Sequence, residues 1–474
     1  MSNALAPSWL HEPADANVLL PSLWPIGTHR NSNGEMVIGG VAVSSLAETF
    51  GTPLYLQDEA TVIDRARHLR DVFTQAFARH GRSVKLFYAT KALLTADTLR
   101  LVSGEGYGAD CSTLGELQWA LRAGIPASSI EFLGNNKSDA ELHLAVESGV
   151  SLIVVDSSQE VRRIQEVASR LGVVQDVAIR VNSGVHASTH DYLATAREDQ
   201  KFGIARSDIE EVSKLLADSS ALRLVGLHSH IGSQIFHVDG FVEAATRLLE
   251  VYATLAAHHP LHLLNMGGGF GVPYTSVDEP LDLAALANRL SDAVNETAAA
   301  LGLTLPVVAF EPGRSIVATA GVTLYRVGTT KQVVVTDDAT GAEHVRLYVS
   351  VDGGMSDNLR PALYGANYTP TLASRHSSAP PVLVRVVGKH CESGDIVVHD
   401  GYLPGDVGPG DLLAVAVTGA YCHSLASSYN QVSRPPIIRV ANGEAALSVR
   451  GETLEDLLSR DVGLGLFESV EETR

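Results

Sequence analysis

Residues 85–94 read KLFYATKALL, an apolar run of strand length that ends in a lysine, Lys91. An ammonium at that place has two readings: its stem runs past the edge of a core to water, or it is held in a pocket because its chemistry is needed there. The second reading requires a partner or a covalent use that offsets the cost of desolvation. Further runs of the same kind follow along the chain: YGADC (107–111), IEFLG (130–134), LIVVD (152–156), DVAIRVN (176–182), LVGLHSH (224–230), LHLLNMGG (261–268) and PVVAFEPG (306–313). Helical or mixed segments separate them. With the first run they make eight, the number that closes an α/β barrel of the (β/α)8 type, and they are too apolar on both faces for strands half exposed to water.

Nearly every run ends in a group with chemistry to offer: Lys91, Asp110, Asn135, Asp156, Asn182, His228 and His230, the glycines 267–269, and Glu311 with Arg314. In a barrel those C-terminal ends gather around one mouth. The preference of turns for Asp and Asn suffices for Asn135 and Asp156. It does not account for a lysine, two histidines, a triple glycine and a glutamate together.

Before the first run, PLYL (53–56) leads into an amphipathic helix in which Val62, Ile63, Ala66, Leu69, Val72, Phe73 and Phe77 recur at helical spacing. From about residue 320 the texture turns Val-rich and partly alternating (VTLYRVGTT, KQVVVTD, HVRLYVSVD, PVLVRVVG, DIVVHDGYL, DLLAVAVTGAY), with little helical periodicity until ETLEDLLSR (452–460). The expectation is a barrel over 49–320 and a mainly β domain made of 1–48 and 321–474, to which MVIGGVAV contributes a strand.

A chain of 474 residues is long for one core. Its 35 Lys and Arg against 54 Asp and Glu give a net charge of −19, which repels phosphate backbones, and no basic patch offsets it; nucleic acid is not an expected partner. Cys111, Cys391 and Cys422 have no CxxC spacing and fit a reducing compartment. The first twenty residues lack a basic start followed by an apolar run, and no stretch reaches about 18 continuous apolar residues, so no membrane association and a cytoplasmic location are expected.

Three motifs carry most of the chemistry. NMGGGFG (265–271) offers side-chain-free backbone at Gly267, Gly268 and Gly269, where N–H groups can cradle an anion, although a tight turn would use the same residues. It has neither the GK[ST] ending of a nucleotide loop nor the dinucleotide fingerprint. EPGRS (311–315) adds Gly313 and the planar fork of Arg314. HSHIGSQ (228–234) places His228 and His230 two apart, but a third metal ligand is not evident, so no metal is expected; the imidazole can stack on a ring and Ser233 can reach phosphate. A lysine for a Schiff base, a glycine-lined phosphate cup and an acid beside a ring nitrogen are together what pyridoxal 5'-phosphate requires.

FYATKA, GADCSTLGE, HSHIGSQ, NMGGGFG, FEPGRS, DGGMSDNLRPALY, CESGD and GAYCHSLASSYN, in this order over roughly residues 50–435, resemble the barrel-type pyridoxal-phosphate decarboxylases of basic amino acids. The resemblance implies a β domain alongside the barrel, and loss of carbon dioxide from meso-2,6-diaminopimelate to give L-lysine; arginine, ornithine or lysine is the alternative substrate. It implies Lys91 as the Schiff-base lysine, His230 stacked on the cofactor, and Ser233 with Gly267, Gly268, Gly269 and Gly313 near its phosphate. Glu311 would partner the pyridine nitrogen, a choice that separates decarboxylases from the barrel racemases, which place an arginine there. Arg314, Arg360 and Tyr364 would meet substrate, Arg314 also lying beside the cofactor. Tyr421 would reach the site from the β domain. Cys391 and Glu392 would be donated across a homodimer with shared active sites, the cysteine towards the reacting carbon. Asp110 and Glu116 match carboxylates of less defined role. A protein that carries pyridoxal phosphate without catalysis would be expected to lack the Cys391–Glu392 pair.

Overall fold

The computed structural model describes residues 5–185, 200–304, 307–336 and 341–464; most of the polar stretch 181–205, whose role the sequence leaves open, lies outside them. The chain divides into two compact units, one made of Val62–Val272 and Pro280–Ile316, the other of Met1–Thr61, Pro273–Glu279 and Val317–Arg474.

In the first unit, among the described residues, eight parallel strands close on themselves: β1 Val84–Ala89, β2 Gly108–Cys111, β3 Ile130–Phe132, β4 Leu152–Val155, β5 Gln175–Arg180, β6 Leu222–His228, β7 Leu263–Asn265 and β8 Val307–Phe310. Each overlaps one of the eight runs read from the sequence, three of them starting one or two residues earlier. Phe87, Leu133, Leu152, Val154, Ala178, Val225, Leu263 and Ala309 form one buried cluster, which makes the barrel a filled core. The helices between strands start where a side-chain oxygen meets an open N–H: Thr95, Thr113, Ser138, Ser157 and Asp282 each accept from the residue three ahead. Such a cap is worth about 1 kcal/mol. Gly149 and Gly172 end two of these helices in left-handed backbone, φ 74 and 68°. Helix Glu59–Ala78 buries Val62, Ala66, Leu69, Phe73 and Phe77, and the Phe73 ring lies 4.4 Å from that of Phe310 and 5.3 Å from that of Phe270.

In the second unit, a sheet of nine strands among the described residues runs Ile396–Pro404, Pro381–Val387, Glu343–Val351, Gly321–Thr336, Leu54–Asp58, Ile437–Ala441, Glu444–Val449, with Pro370–Leu372 and Leu412–Ala416 off this path. VTLYRVGTT and KQVVVT lie in one continuous strand, Gly321–Thr336. Leu54–Asp58, which takes in the last three residues of PLYL, pairs antiparallel with Gly321–Thr336 and parallel with Ile437–Ala441. MVIGGVAV is two short strands, Met36–Ile38 and Val41–Ala42, in a separate small sheet with His29–Arg30. No helix among the described residues is long and apolar enough to cross a membrane.

Candidate active site

Lys91 follows β1 in a short 3-10 turn, and its side chain is 48% exposed, with Nζ 3.5 Å from Oδ2 of Asp110. The amine is therefore neither dissolved in the core nor free at the surface: it stands in an accessible place against a carboxylate that is itself buried. Apart from that amine, neither Asp110 oxygen has a hydrogen-bond partner. Burial pushes the Asp110 carboxyl above its ordinary value, and the Lys91 charge opposes the shift.

Strand alternation explains how polar groups come to line the barrel interior. Stepping two residues carries the inward face from Ala178 to Arg180, from Leu263 to Asn265 and from Ala309 to Glu311, and from Leu133 back to Glu131. Parallel register then sets Asp110 beside Glu131, and His228 beside both Arg180 and Asn265. Oε1 of Glu311 lies 2.9 Å from Nε2 of His228, and both side chains are almost wholly buried. Burial raises the Glu311 carboxyl, but the His228 and Lys91 side chains outweigh it, so the acid is held well below the usual carboxylate range.

The loops after β6, β7 and β8 are sewn into one wall. Ser229 N donates to Asn265 O (2.9 Å), Ile235 N to Gly269 O (2.9 Å), Gly271 N to Ile235 O (3.0 Å) and Glu311 N to Gly267 O (2.9 Å). Gln234 closes the seam with both ends of its amide, donating to Val272 O and accepting from Val272 N, each at 2.9 Å. The glycines are required by space: a Cβ on Gly268 would stand 2.1 Å from Glu311 O, one on Gly269 2.3 Å from Gly232 O, and one on Gly267 2.8 Å from both Nδ1 of His230 and Ser229 O. Gly268 N donates to Nδ1 of His230 (3.2 Å), which leaves the ring proton on Nε2 and the imidazole neutral. Burial, then the Lys91 charge, pushes His230 down in the same sense. Arg314 Nη2 donates to Ser233 Oγ at 3.0 Å. Gly313 is packed against Ala89 and Ala92, either side of Lys91.

The remaining candidates belong to the other unit. Arg360 is buried, with its guanidinium 4.7 Å from the Tyr274 ring centre and donating to the Tyr368 hydroxyl, whereas Tyr364 is 65% exposed. Cys391 and Glu392 sit on an exposed loop, Cys391 N donating to Asn430 Oδ1 (3.2 Å). Asp395 of the same CESGD motif accepts from Met355 N (2.6 Å) and His390 N (2.7 Å), so it joins that loop to DGGMSDN. Tyr421 has a left-handed backbone, φ 65°, a conformation costing a non-glycine residue about 1 kcal/mol. The turn before it is wedged: a Cβ on Gly419 would lie 1.9 Å from Val317 O.

A family profile described as pyridoxal-dependent decarboxylase, pyridoxal binding domain, matches residues 60–318. The chain belongs to the pyridoxal-dependent decarboxylases. It is 46% identical over 453 residues to the diaminopimelate decarboxylase of Mycobacterium tuberculosis, covering 94% of this chain and 98% of that one. Among solved structures it is similar to diaminopimelate decarboxylase from M. jannaschii (30% identity, TM-score 0.80, covering 92% of this chain and 97% of that one). It is similar as well to the Helicobacter pylori enzyme complexed with L-lysine (32% identity, TM-score 0.77, 90% and 100% covered). The residues present fit the pyridoxal group of this family: the glycine wall leaves no room for side chains, and Asp110 and Glu311 are buried acids with oxygens lacking hydrogen-bond partners.

Within the barrel of this pyridoxal-dependent decarboxylase, Lys91 and Asp110 meet, and His230, Ser233, the three glycines, Glu311 and Arg314 line the joined loops. Glu116 serves local structure, accepting from Ser112 N (2.6 Å) at the start of its helix. Sequence reading passed over Glu131, Arg180, Gln234 and Asn265. Gln234 lies in HSHIGSQ, and nothing in that motif reports its positive φ of 61°. Glu131 and Asn265 lay inside apolar runs, and only strand parity would have turned them inward.

Proposed function

We propose that this protein removes carbon dioxide from meso-2,6-diaminopimelate to give L-lysine, using pyridoxal 5'-phosphate. The observation that carries the reading is a buried Glu311, held ionised, joined through its own backbone to a glycine wall that excludes side chains, with the Lys91 amine accessible at the same barrel end. When bound, the cofactor supplies an aldehyde for the substrate amine and a ring that accepts the electron pair left as the carbon–carboxylate bond breaks. The Lys91 amine would hold the cofactor through its aldehyde carbon, with Asp110 orienting that amine. Glu311 would favour a positive charge on the ring nitrogen, and neutral His230 would lie against the ring without adding charge. Gly267, Gly268, Gly269, Gly313 and Ser233 receive the phosphate.

Arg314, Arg360 and Tyr364 bind substrate carboxylates, and Tyr421 closes the cofactor site. The enzyme works as a homodimer in which the partner's Cys391 faces the reacting carbon and the partner's Glu392 receives the distal ammonium. The exposure of this loop supports that assignment. A cytoplasmic location is supported by three cysteines that form no disulfide and by the biosynthetic reaction.

The test is a substrate panel read by carbon dioxide release and chiral amino-acid analysis. Conversion of meso-diaminopimelate to L-lysine, with turnover of lysine, ornithine and arginine lower by about a hundredfold or more, is expected, because groups built for the second carboxylate go unpaired on substrates that lack it. Preference for ornithine or arginine, or inversion of alanine without carbon dioxide, would reject it.

A further inference from the structure

Glu131 lies wholly buried in β3, and its Oε2 accepts from Nδ2 of Asn265 at 3.0 Å. Asn265 ends β7, four strands away in either direction around the eight, so the pair spans the barrel's full width. The orientation of the amide is fixed, because its Oδ1 accepts from Gly267 N at 2.9 Å and a backbone N–H needs an oxygen. A single side chain thus ties the barrel interior to the first glycine of the phosphate wall.

The other oxygen, Oε1, is buried with no hydrogen-bond partner, and so is Oε1 of Glu311, which lies off the line of a hydrogen bond from His228. The two carboxyl groups lie within hydrogen-bond reach of each other; both ionised, they offer acceptors and no donor, and one proton between them removes both orphans. Asp110, next to Glu131 in register, adds a third buried acid. The cationic groups facing this layer are Arg180, drawn towards Asp156 at 4.0 Å, and Lys91, drawn towards Asp110; the His228 ring and the neutral His230 ring face it as well. Three negative charges in so dry a space exceed what these can offset. Burial first, then the charges of Glu311 and Asp110, push the Glu131 carboxyl well above its ordinary value, whereas Glu311 is held down.

We propose that Glu131 is a positioning residue: a neutral carboxylic acid that donates a hydrogen bond to Glu311 while accepting one from Asn265, locking the acid assigned to the pyridine nitrogen to the strand that leads into the glycine wall. It rests on the reading of Glu311 given above, and its test separates the two. Infrared difference spectra of the cofactor-free protein at neutral pH should contain the carbonyl band of an un-ionised, deuterium-sensitive carboxyl group that is missing in Glu131→Gln and kept in Asp110→Asn. No substrate or cofactor enters that measurement, so failure of the decarboxylase assignment would leave it untouched. Glutamine retains one donor and one acceptor, so Glu131→Gln should bind pyridoxal phosphate within about threefold of wild type. Glu131→Leu strands both neighbours, so it should bind about tenfold more weakly or worse, with a shifted pH midpoint of the bound cofactor's visible absorbance. A band that survives in Glu131→Gln, a band lost in Asp110→Asn, or a leucine variant indistinguishable from wild type would overturn the proposal.

Discussion

A lysine at the end of an apolar strand first posed a choice between solvent and pocket, and the geometry joins the two: the amine is accessible while its partner Asp110 is buried. Lys91→Ala should lower turnover by about a thousandfold or more while leaving the fold intact, and borohydride reduction of wild type should leave the pyridoxyl group on Lys91, as peptide mass analysis would show. Label on another lysine would refute the assignment. Glu311→Gln keeps the shape and removes the charge, so kcat should fall by about a hundredfold while bound cofactor is retained, measured by steady-state kinetics beside absorbance. The residues legible in the sequence were those at strand ends within recognisable motifs. Glu131 was not, because a single glutamate between Ile130 and Phe132 reads as the solvent face of a strand, and only closure of the barrel turns that face inward.

At the scale of elements, the eight barrel strands were legible because burial on both faces leaves them apolar, and the helices between them carry their own starts. The β unit was less so. Leu54–Asp58 and Ile437–Ala441 are neighbours only through pairings hundreds of residues apart, and no local pattern reports such a partner. Two elements carry predictions. Lys137, in the loop after β3, donates to Gly134 O and Val154 O (both 2.7 Å) and to Glu160 Oε1 (2.9 Å), bracing the ends of β3 and β4. Lys137→Met leaves Glu160 buried without its counter-ion and should cost about 3–5 kcal/mol in urea unfolding, much of it recovered in Lys137→Met/Glu160→Gln. In the DGGMSDN loop, burial pushes the Asp357 carboxyl up to about 7. The folded chain therefore keeps a proton that the unfolded chain sheds near pH 4, and this contribution is full below that pH and fades as pH rises to about 7. Over that window the stability of wild type should fall relative to Asp357→Asn, by an amount on the order of a few kcal/mol, as paired denaturation curves would reveal. Parallel curves would contradict it.

For the whole molecule, shared sites make a quantitative claim. Mixing Lys91→Ala with Cys391→Ala chains under exchange should restore up to roughly a quarter of wild-type activity, since half the dimers are mixed and each holds one intact site. No recovery despite exchange demonstrated by mass-tagged chains would show that each chain is catalytically complete. The placement of Leu54–Asp58 bears on how such a chain is made. Its two sheet neighbours, Gly321–Thr336 and Ile437–Ala441, leave the ribosome long after it does, and at ordinary synthesis rates the wait is on the order of tens of seconds. Throughout that time both hydrogen-bonding edges of a buried, hydrophobic strand are open to other nascent chains. Yield in the cell should then depend on the speed of translation and on chaperone supply, even for variants whose finished fold is as stable as the parent's.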